Sequence, residues 1–394
     1  MTDHAGHRAG PLADIVVLDL SRVLTGPYAA MMLGDLGARV IKVERPGAGD
    51  DTRAWGPPFV GEGDERESTY FLSTNRNKES IVLDLKDDAD KETLARLVAH
   101  SDVLVENFRP GVLAKLGFDE ERLTELNPRL IGLSITGFGH DGPEASRPGY
   151  DQIVQGEAGL MSITGPDAQT PTKVGVSIAD ILAGMFGAYG VLAALHERER
   201  TGRGKFVRTS LLAGVLAVHT WQATRWLIAG EVPEPIGNRH PTVAPYGAFE
   251  CSDGIVQIGA GNDALWEHFA PLLDIDPDDE RFRTNGDRVA NYPALEELLA
   301  ERFSQHSIAH WLEQLAEAGV PAGEVKPLDK VYEWPQVLSQ GLIVETEHPA
   351  VGPIRLPGPP VRFDGEERFT HAPPPMLGEH SDAIREWLDE QDDR

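Results

Sequence analysis

The amino-terminal part of the chain alternates between short apolar runs and segments with helical spacing. Residues 14–20 (DIVVLDL) are rich in β-formers, and residues 26–37 have helical spacing with a proline near the start and a glycine at the end. Residues 39–44 (RVIKVE) predict the next strand. The same alternation continues with strands at 80–85, 102–108 and 130–139 and a helix near 91–100. It predicts an α/β fold with a parallel sheet covered on both faces.

A long apolar helix is predicted at residues 178–198, after a turn-rich segment. Its large apolar side chains recur every three to four positions, and the sequence TGRG then stops it. These side chains are Ile178, Leu182, Met185, Tyr189 and Leu192. A second helical stretch is predicted at residues 210–228.

The pattern changes after a proline-rich passage that resembles a crossing between domains. Residues 247–260 predict a hairpin that turns at 252–254. Helices are predicted at 263–272, 292–303 and 308–319, short strands at 343–363 and a last helix at 381–392. We therefore expect a larger, Rossmann-like parallel-sheet domain from 1–222 and 335–394, and a linker with a smaller α+β domain from 223–334.

Composition narrows the class of protein. The 394 residues are 41% apolar and 25% charged, which is ample for a hydrophobic core. No apolar run approaches the roughly 20 residues of a membrane span, so no membrane partner is expected. The first residues lack an apolar signal core, which predicts no export. The single cysteine, Cys251, fits a reducing cytoplasm.

The formal charge of −27 predicts a surface that repels nucleic acid and anionic membranes. Of the 36 basic residues only nine are lysines. An acidic, lysine-poor surface is typical of a halophile, although a GC-rich genome alone also depletes lysine.

Several catalytic and binding motifs are absent. There is no phosphate loop of the Walker type, and no G-x-G-x-x-G follows the first strand, which disfavours a nicotinamide dehydrogenase. His306 and His310 lie one helical turn apart but lack an adjacent glutamate and a third ligand, so no metal is expected. A serine-hydrolase elbow is missing as well.

Asp180 is the candidate catalytic residue. It lies in the first turn of the long helix, and its spacing from Ser177 favours a helix-capping role. However, Gly184 and Gly187 share its face, and a helical glycine costs about 0.5–1 kcal/mol relative to alanine, so something is expected to approach closely. The free N–H groups of the helix start could also cradle an oxyanion. The residues alone leave both roles open and favour capping.

Long, ordered segments of the chain resemble the class III coenzyme A transferases. They are GPYAAMMLGDLGARVIKVERPGAGD, LSTNRNKESIVLDLK, DVLVENFRPGVLAKLGF, LNPRLIGLSITGFG and AALHERERTGRGKFVRTSLL. The family includes formyl-CoA transferase and carnitine CoA-transferase, with alpha-methylacyl-CoA racemase as a relative. The similarity runs from about residue 12 to LGEHSDAI near the carboxyl end.

The resemblance implies that Asp180 is the nucleophile and forms an anhydride and then a thioester with coenzyme A. No permanently bound cofactor or metal is implied, because the coenzyme A thioester is itself a substrate. The partners implied are an acyl-CoA, a small carboxylic acid and a second copy of the chain, in a homodimer of interlocked rings.

The resemblance also implies a coenzyme A path. Basic residues that match it are Arg45 and Lys86 for the nucleotide end and Lys115 near the phosphates, to which we add Arg109 by its proximity in sequence. The adenine and pantetheine path matches Val23, Leu83, Asn107 and Phe108.

The substrate end is expected at Leu24, Tyr150 and the segment with Asn238, Arg239 and His240. Formyl-CoA transferase has glutamine where Leu24 stands, which disfavours formyl or oxalyl transfer. Racemase relatives have histidine where Tyr150 stands; since tyrosine has a pKa of about 10 and is a poor base at neutral pH, a transferase is favoured over an isomerase. Arg239 could pair with a distal carboxylate, or be an exposed loop arginine.

The expected reaction is transfer of coenzyme A from succinyl-CoA to a dicarboxylate. Mesaconate is the preferred acceptor, with citramalate, malate and glutarate as others. The alternatives are an intramolecular shift of coenzyme A within mesaconyl-CoA and a racemase-like isomerisation.

Overall fold

The computed structural model describes residues 10–63, 66–364 and 370–393. Within these ranges the chain forms two compact units. The larger draws on Met1–Leu160, Val174–Ala223 and Pro335–Arg394, and the smaller on Met161–Lys173 and Thr224–Trp334. The predicted larger domain includes residues 161–173, but in the structure this segment groups with the smaller unit. There the Gly237 N–H donates to the Gly165 carbonyl (2.9 Å).

The strands, in chain order, are β1 Val16–Asp19, β2 Arg39–Glu44, β3 Phe59–Val60, β4 Glu67–Ser68, β5 Lys78–Val82, β6 Val103–Glu106, β7 Ile131–Thr136, β8 Phe206–Ser210, β9 Tyr246–Cys251, β10 Gly254–Gly259, β11 Ala322–Glu324, β12 Ile343–His348 and β13 Gly352–Pro357.

The α-helices, in chain order, are α1 Thr25–Asp35, α2 Thr69–Thr74, α3 Asp88–Ala99, α4 Val112–Lys115, α5 Glu120–Leu126, α6 Asp151–Glu157, α7 Ile178–Thr201, α8 Leu211–Val218, α9 Thr220–Leu227, α10 Asp263–Phe269, α11 Asn285–Ala290, α12 Tyr292–Phe303, α13 Ile308–Glu317, α14 Leu328–Tyr332, α15 Pro335–Ser339 and α16 Ser381–Asp392.

The larger unit is built on a parallel six-stranded sheet in the order β5-β2-β1-β6-β7-β8. Successive side chains of β1 enter different cores: Val17 joins a cluster with α1 and α7, while Leu18 joins one with α3, α5 and α16. Both faces of the sheet are therefore covered, and the predicted α/β class is confirmed.

The sheet reverses its strand order at β1. Strand β2 lies on one side of β1 and β6 on the other, so the connections leave β1 in opposite directions. In an open α/β sheet such a reversal opens a crevice beyond the carboxyl ends of the strands, where ligands bind.

Helix α7 confirms the predicted long helix and ends at Gly202, which has a φ of 70°. Its orientation differs from what the apolar spacing suggests, because Met185, Tyr189 and Leu192 are exposed. The buried face consists mainly of small residues, which let the helix pack closely on its neighbours. A Cβ at Gly184 would lie 2.8 Å from the Thr25 carbonyl oxygen, so the close approach expected from the glycines is confirmed.

Helix α7 also corrects the expectation that no segment reaches membrane-spanning length. By length and composition alone its 24 residues could cross a membrane, since the helix keeps a high mean hydropathy although many of its residues are small. In this structure 44% of its apolar window is buried, and it packs against α1, α8, β7 and β8 of the larger unit.

The second predicted helical stretch is two helices, α8 and α9, with His219 between them, and α9 begins at Thr220, which has a φ of 41°. In the smaller unit, β9 and β10 form the predicted hairpin, in which Cys251 pairs with Gly254. Strand β11 pairs antiparallel with the other edge of β10. Aromatic side chains including Phe249, Trp266 and Phe303 fill the core of this unit.

Candidate active site

A cavity of about 270 Å³ lies at the reversal of the sheet. Its wall comes from the carboxyl ends of β1, β2 and β5, the segment after β6, and helix α4. Four residues of the predicted coenzyme A path line it, namely Arg45, Leu83, Lys86 and Phe108. Leu83 is buried, whereas Arg45 and Lys86 are exposed at the rim. The cavity thus combines apolar walls with cationic groups, which suits an anionic ligand that also carries an apolar chain.

Arg22 also lines the cavity, although the sequence analysis does not single it out. Its guanidinium pairs with Asp51 at 3.1 Å, and Arg45 pairs with the same carboxylate at 2.5 Å. The Arg22 guanidinium carbon lies 5.8 Å from the centroid of the Phe108 ring. One carboxylate therefore holds two arginines at the cavity. The available sequence signal is a basic residue three positions after the end of β1, beside the predicted Val23.

Val23 lies in the turn that follows β1, and Asn107, which follows β6, is hydrogen-bonded to that turn. Val23 has a φ of 71°, a left-handed conformation that is uncommon for a β-branched residue. The Asn107 side chain accepts from the Arg22 N–H (2.9 Å) and donates to the Arg22 carbonyl (2.7 Å). Asp50 accepts from the Val23 N–H (3.2 Å). Neither Val23 nor Asn107 is part of the cavity wall, so their place in the structure is to shape the turn.

A buried ionic group lies beneath this turn. Lys42 contacts Asp50 (2.9 Å) and donates to the Ser21 carbonyl (2.9 Å), and Lys78 pairs with Asp19 (2.9 Å). Burial acts to raise the pKa of Asp50, but Lys42 and hydrogen bonds from neighbouring groups lower it to about 2. Burial lowers the pKa of Lys78 to about 8 against the opposing effect of Asp19. These charges hold β1, β2 and β5 together under the turn.

Asp180 lies half-buried in the first turn of α7. The Thr25 hydroxyl donates a hydrogen bond to its Oδ1. Burial raises the pKa of Asp180 to about 6; the hydrogen bond from Thr25 opposes the rise, and the nearby charge of Asp151 adds to it. The carboxyl group is therefore weakly solvated and still largely ionised near neutral pH, which suits a nucleophile.

The prediction that Ser177 and Asp180 cap the start of α7 together is wrong. Ser177 is the N-cap by position, but its side chain makes no capping hydrogen bond. The backbone N–H of Ala179, in the first turn of α7, instead donates to the carboxylate of Asp151 in α6 (2.8 Å). Asp151 thus satisfies one N–H of the helix start, and the carboxylate of Asp180, which accepts from Thr25 instead, is available for another role.

The turn after β1 connects the cavity with Asp180. Arg22 lines the cavity and Thr25 contacts Asp180, and these two residues are three positions apart in the chain. An extended chain of three residues spans at most about 11 Å. A ligand in the cavity needs to extend only a short distance to bring a reactive group to the carboxylate.

The remaining predicted residues are spread across both units. Arg109 and Lys115 are exposed and lie outside the cavity wall. Leu24 is the buried N-cap of α1, and Tyr150 is 64% exposed at the start of α6.

Asn238, Arg239 and His240 belong to the smaller unit. The Arg239 guanidinium carbon lies 5.3 Å from the centroid of the Tyr292 ring, and the pKa of Tyr292 is raised to about 12, by burial first and then by Glu296. The backbone N–H of His240 donates to the Tyr246 carbonyl (3.1 Å).

His306 and His310 stack with ring centroids 4.2 Å apart. Within the described ranges, no group of three or more histidine, cysteine, aspartate or glutamate side chains is placed to hold a metal ion.

Comparison with known proteins matches nearly the whole chain. The model of the family described as CoA-transferase family III matches residues 12–381. The human succinyl-CoA:glutarate CoA-transferase is 42% identical over 98% of this chain and 87% of its own length. The acetyl-CoA:oxalate CoA-transferase of Acetobacter aceti is 42% identical over 95% of each chain. The succinyl-CoA:mesaconate CoA-transferase of Haloarcula marismortui is 38% identical over 97% and 96%.

Among solved structures, a CAIB/BAIF family protein from Brucella suis superposes with a TM-score of 0.88 and 42% identity. The match covers 96% of this chain and 100% of that one.

Proposed function

Because the chain belongs to CoA-transferase family III and is a coenzyme A transferase, we propose that it moves coenzyme A from succinyl-CoA to a five-carbon dicarboxylate, with glutarate as the preferred acceptor. Support for the donor comes from relatives whose names include succinyl-CoA. Glutarate takes precedence over the expected mesaconate because the human glutarate enzyme is 42% identical to this chain and the mesaconate enzyme of Haloarcula 38%. Both acids have five carbons and two carboxylates, so mesaconate is the second candidate.

The observation that carries the proposal is the environment of Asp180. Its carboxylate lies in the first turn of a long helix and accepts a hydrogen bond from Thr25, which is three positions along the chain from the cavity-lining Arg22. Burial has removed much of its solvation and raised its pKa to about 6. Such a carboxylate is ionised at neutral pH and is more nucleophilic than one in bulk water.

In the proposed reaction, Asp180 attacks the carbonyl carbon of succinyl-CoA. A C–O bond forms, the C–S bond breaks, and coenzyme A leaves as the thiolate, giving a mixed anhydride of succinate and Asp180. The thiolate then attacks Cγ of Asp180, which releases succinate and leaves an aspartyl-CoA thioester. The acceptor carboxylate reverses these two steps and leaves with coenzyme A. The energy of the thioester is kept because no intermediate is offered to water.

The cavity at the sheet reversal is proposed to hold the nucleotide end of coenzyme A. Arg45 and Lys86 provide positive charge at its rim, while Leu83 and Phe108 provide apolar contact. In a chain with a net charge of −27, a wall that has four basic side chains against three acidic ones is locally less negative than the rest of the surface, which favours an anionic ligand. Lys115 remains a proposed phosphate contact and Arg109 a weaker one, since both lie outside the cavity wall.

The acceptor is proposed to meet Leu24 and Tyr150 in the larger unit. Taken separately, Arg239 of the smaller unit, with Asn238 and His240, stays a predicted carboxylate-binding residue, because a guanidinium can pair with a carboxylate through two hydrogen bonds. An apolar Leu24 favours the methylene chain of glutarate over oxalate, so the oxalate specificity of the Acetobacter relative is not expected here.

The test is a panel of acceptors with succinyl-CoA as donor, comprising glutarate, mesaconate, citramalate, malate and oxalate. We expect the highest kcat/KM with glutarate and the lowest with oxalate. Hydroxylamine added during turnover should trap Asp180 as a hydroxamate that peptide mass spectrometry detects. Exchange of deuterium at the α-carbon without coenzyme A transfer would instead indicate the isomerase alternative.

Two variants sharpen this test. Asp180→Ala should abolish transfer while the protein stays folded. Asp382→Asn is the matched control, because Asp382 is also an acidic residue in a helical first turn but is exposed on α16. It should keep full activity. Transfer by Asp180→Ala at the wild-type rate would rule out the proposed nucleophile.

A further inference from the structure

Thr25 makes the closest polar contact of Asp180. Its hydroxyl donates to Oδ1 of a residue 155 positions away in the chain. Among the residues that the structure describes, no second side chain or N–H is found donating to this carboxylate. Oδ2 accepts no hydrogen bond from a described residue and is not one of the buried unpartnered atoms, so it keeps some exposed surface. The two oxygens of Asp180 are therefore in different environments.

The position of Thr25 is determined by tight packing. Thr25 is the first residue of α1 and only 3% exposed. A Cβ at Gly184 would lie only 2.8 Å from the Thr25 carbonyl oxygen. The glycine therefore allows α1 to approach α7 at this point. A β-branched side chain has few rotamers, and burial restricts them further. The hydroxyl is thus held in place before any substrate binds.

We propose that Thr25 is a catalytic hydrogen-bond donor that fixes Oδ1 of Asp180, leaves Oδ2 as the attacking atom, and stabilises the negative charge that develops on Oδ1 when Cγ is attacked. This inference rests on the proposed function, in which Asp180 forms the covalent intermediates. The attack of Oδ2 on the thioester makes Oδ1 the carbonyl oxygen of the mixed anhydride.

The second step then places charge on the same atom. As the coenzyme A thiolate forms a bond to Cγ, the C=O electron pair moves onto Oδ1, and it returns when the bond to the succinyl oxygen breaks. A donor already aimed at Oδ1 stabilises this intermediate without reorganisation. A hydrogen bond to a charged group contributes about 1.5–3 kcal/mol, equivalent to about a 10- to 150-fold change in rate.

The experiment compares Thr25→Val, which removes the hydroxyl at similar volume, with Thr25→Ser, which keeps it. We expect kcat for succinyl-CoA and glutarate to fall about 10- to 100-fold in Thr25→Val, with KM for succinyl-CoA within about twofold. Thr25→Ser should recover most of the loss. Thr124→Val is the matched control: the Thr124 hydroxyl donates to the Glu120 carbonyl on the exposed helix α5, so rates should not change.

A pH profile separates catalysis from packing. Without the hydrogen bond the pKa of Asp180 should rise further, so the acid limb of kcat/KM should move to higher pH in Thr25→Val and return in Thr25→Ser. A purely structural role of Thr25 would leave this limb in place. If Thr25→Val does not fold, as judged by circular dichroism, Thr25→Ala and Thr25→Ser make the same comparison.

Asp180→Ala, assayed alongside, separates the two proposals. If Asp180→Ala is inactive but Thr25→Val keeps the wild-type kcat and acid limb, the role of Thr25 is overturned and the proposed function stands. If Asp180→Ala transfers coenzyme A normally, the proposed function fails, and the role of Thr25 fails with it.

Discussion

At the scale of single residues, charged and hydrogen-bonding neighbours together with burial shift the pKa values of Asp50 and Asp180 in opposite directions. Both Asp50 and Asp180 are withdrawn from water. Asp50 contacts Lys42 at 2.9 Å and has a pKa of about 2. Asp180 has a neutral donor in Thr25 and a like charge in Asp151, and burial raises its pKa to about 6. The first carboxylate is suited to hold a turn, and the second to react.

The raised pKa of Asp180 predicts a cost in stability. The group is ionised in the unfolded chain above its ordinary value of 3.8, but in the fold only above about 6. The ionised form therefore destabilises the fold at high pH, and the neutral Asp180→Asn should be more stable than the wild type by about 1–2 kcal/mol at pH 8, allowing for partial exposure.

The difference should shrink as the pH falls from 6 towards 4, where the wild-type carboxyl is protonated in the fold. Denaturant unfolding at both pH values measures it. Equal stability of the two proteins at pH 8 would contradict a raised pKa. In the same range, the activity of the wild type should decline as the pH falls through about 6, because the nucleophile becomes protonated.

Arg22 predicts a binding effect that the sequence did not indicate. Because it lines the cavity, Arg22→Ala should raise KM for succinyl-CoA about tenfold and leave kcat within about twofold. Arg122→Ala is the control, since Arg122 is exposed on α5 and outside the cavity wall, and Arg109→Ala tests the weaker proposed phosphate contact. Steady-state kinetics compare them. A larger effect at Arg109 than at Arg22 would place the phosphates elsewhere.

At the scale of elements, helix α7 supports the candidate site through its small residues. Its glycines and alanines face α1 and the sheet, and this close packing brings Thr25 to Asp180. Several of its large apolar side chains are exposed, namely Met185, Phe186, Tyr189 and Leu192. Apolar periodicity predicted the helix correctly but did not predict which face is buried, since close packing selects small residues rather than large ones.

Gly184→Ala tests this packing. Its Cβ would lie 2.8 Å from the backbone oxygen of Thr25, so α1 must shift. We expect the free energy of unfolding to fall by roughly 1–3 kcal/mol, as in an overpacked core, and kcat to fall as well. Gly286→Ala in α11 is the control, because its nearest neighbour is the Thr284 hydroxyl at 3.7 Å. It should be neutral or slightly stabilising. Thermal unfolding and kcat are the measurements, and an unchanged kcat in Gly184→Ala would separate helix packing from catalysis.

At the scale of the whole molecule, exposed apolar side chains on the larger unit favour the homodimer that the sequence resemblance implied. They come from α6, α7 and α8 and include Ile153, Met185, Tyr189 and Leu216. Exposed apolar side chains on helices that pack against one another are typical of an interaction site. The salt-loving source indicated by the charge of −27 stays a prediction, to be tested by stability at low and high salt.

The dimer prediction has a matched pair of variants. Tyr189 of α7 and Leu328 of the smaller unit are each 72% exposed. Tyr189→Glu should weaken dimerisation, because it places a charge in the proposed interface, whereas Leu328→Glu should not. Light scattering after size exclusion gives the mass. A wild-type chain that elutes as a monomer at micromolar concentration would contradict the homodimer.

The sequence by itself determined the order of elements in the larger unit, the long helix, the hairpin of the smaller unit and the family. These depend on local periodicity, turn residues and linear motifs, which are all properties of neighbouring positions. It also supplied Arg45, Leu83, Lys86 and Phe108 at the cavity, because the matching motifs lie at the ends of the predicted strands.

Only the tertiary structure decided which side chains meet. The contact between Thr25 and Asp180, the pairing of Arg22 and Arg45 with Asp51, and the capping of α7 by Asp151 join segments that are distant in the chain or fall outside any motif. Such contacts are set by the order of strands and the closeness of helix packing. No periodicity records them, since a hydrogen bond constrains two positions in space rather than a pattern along the chain.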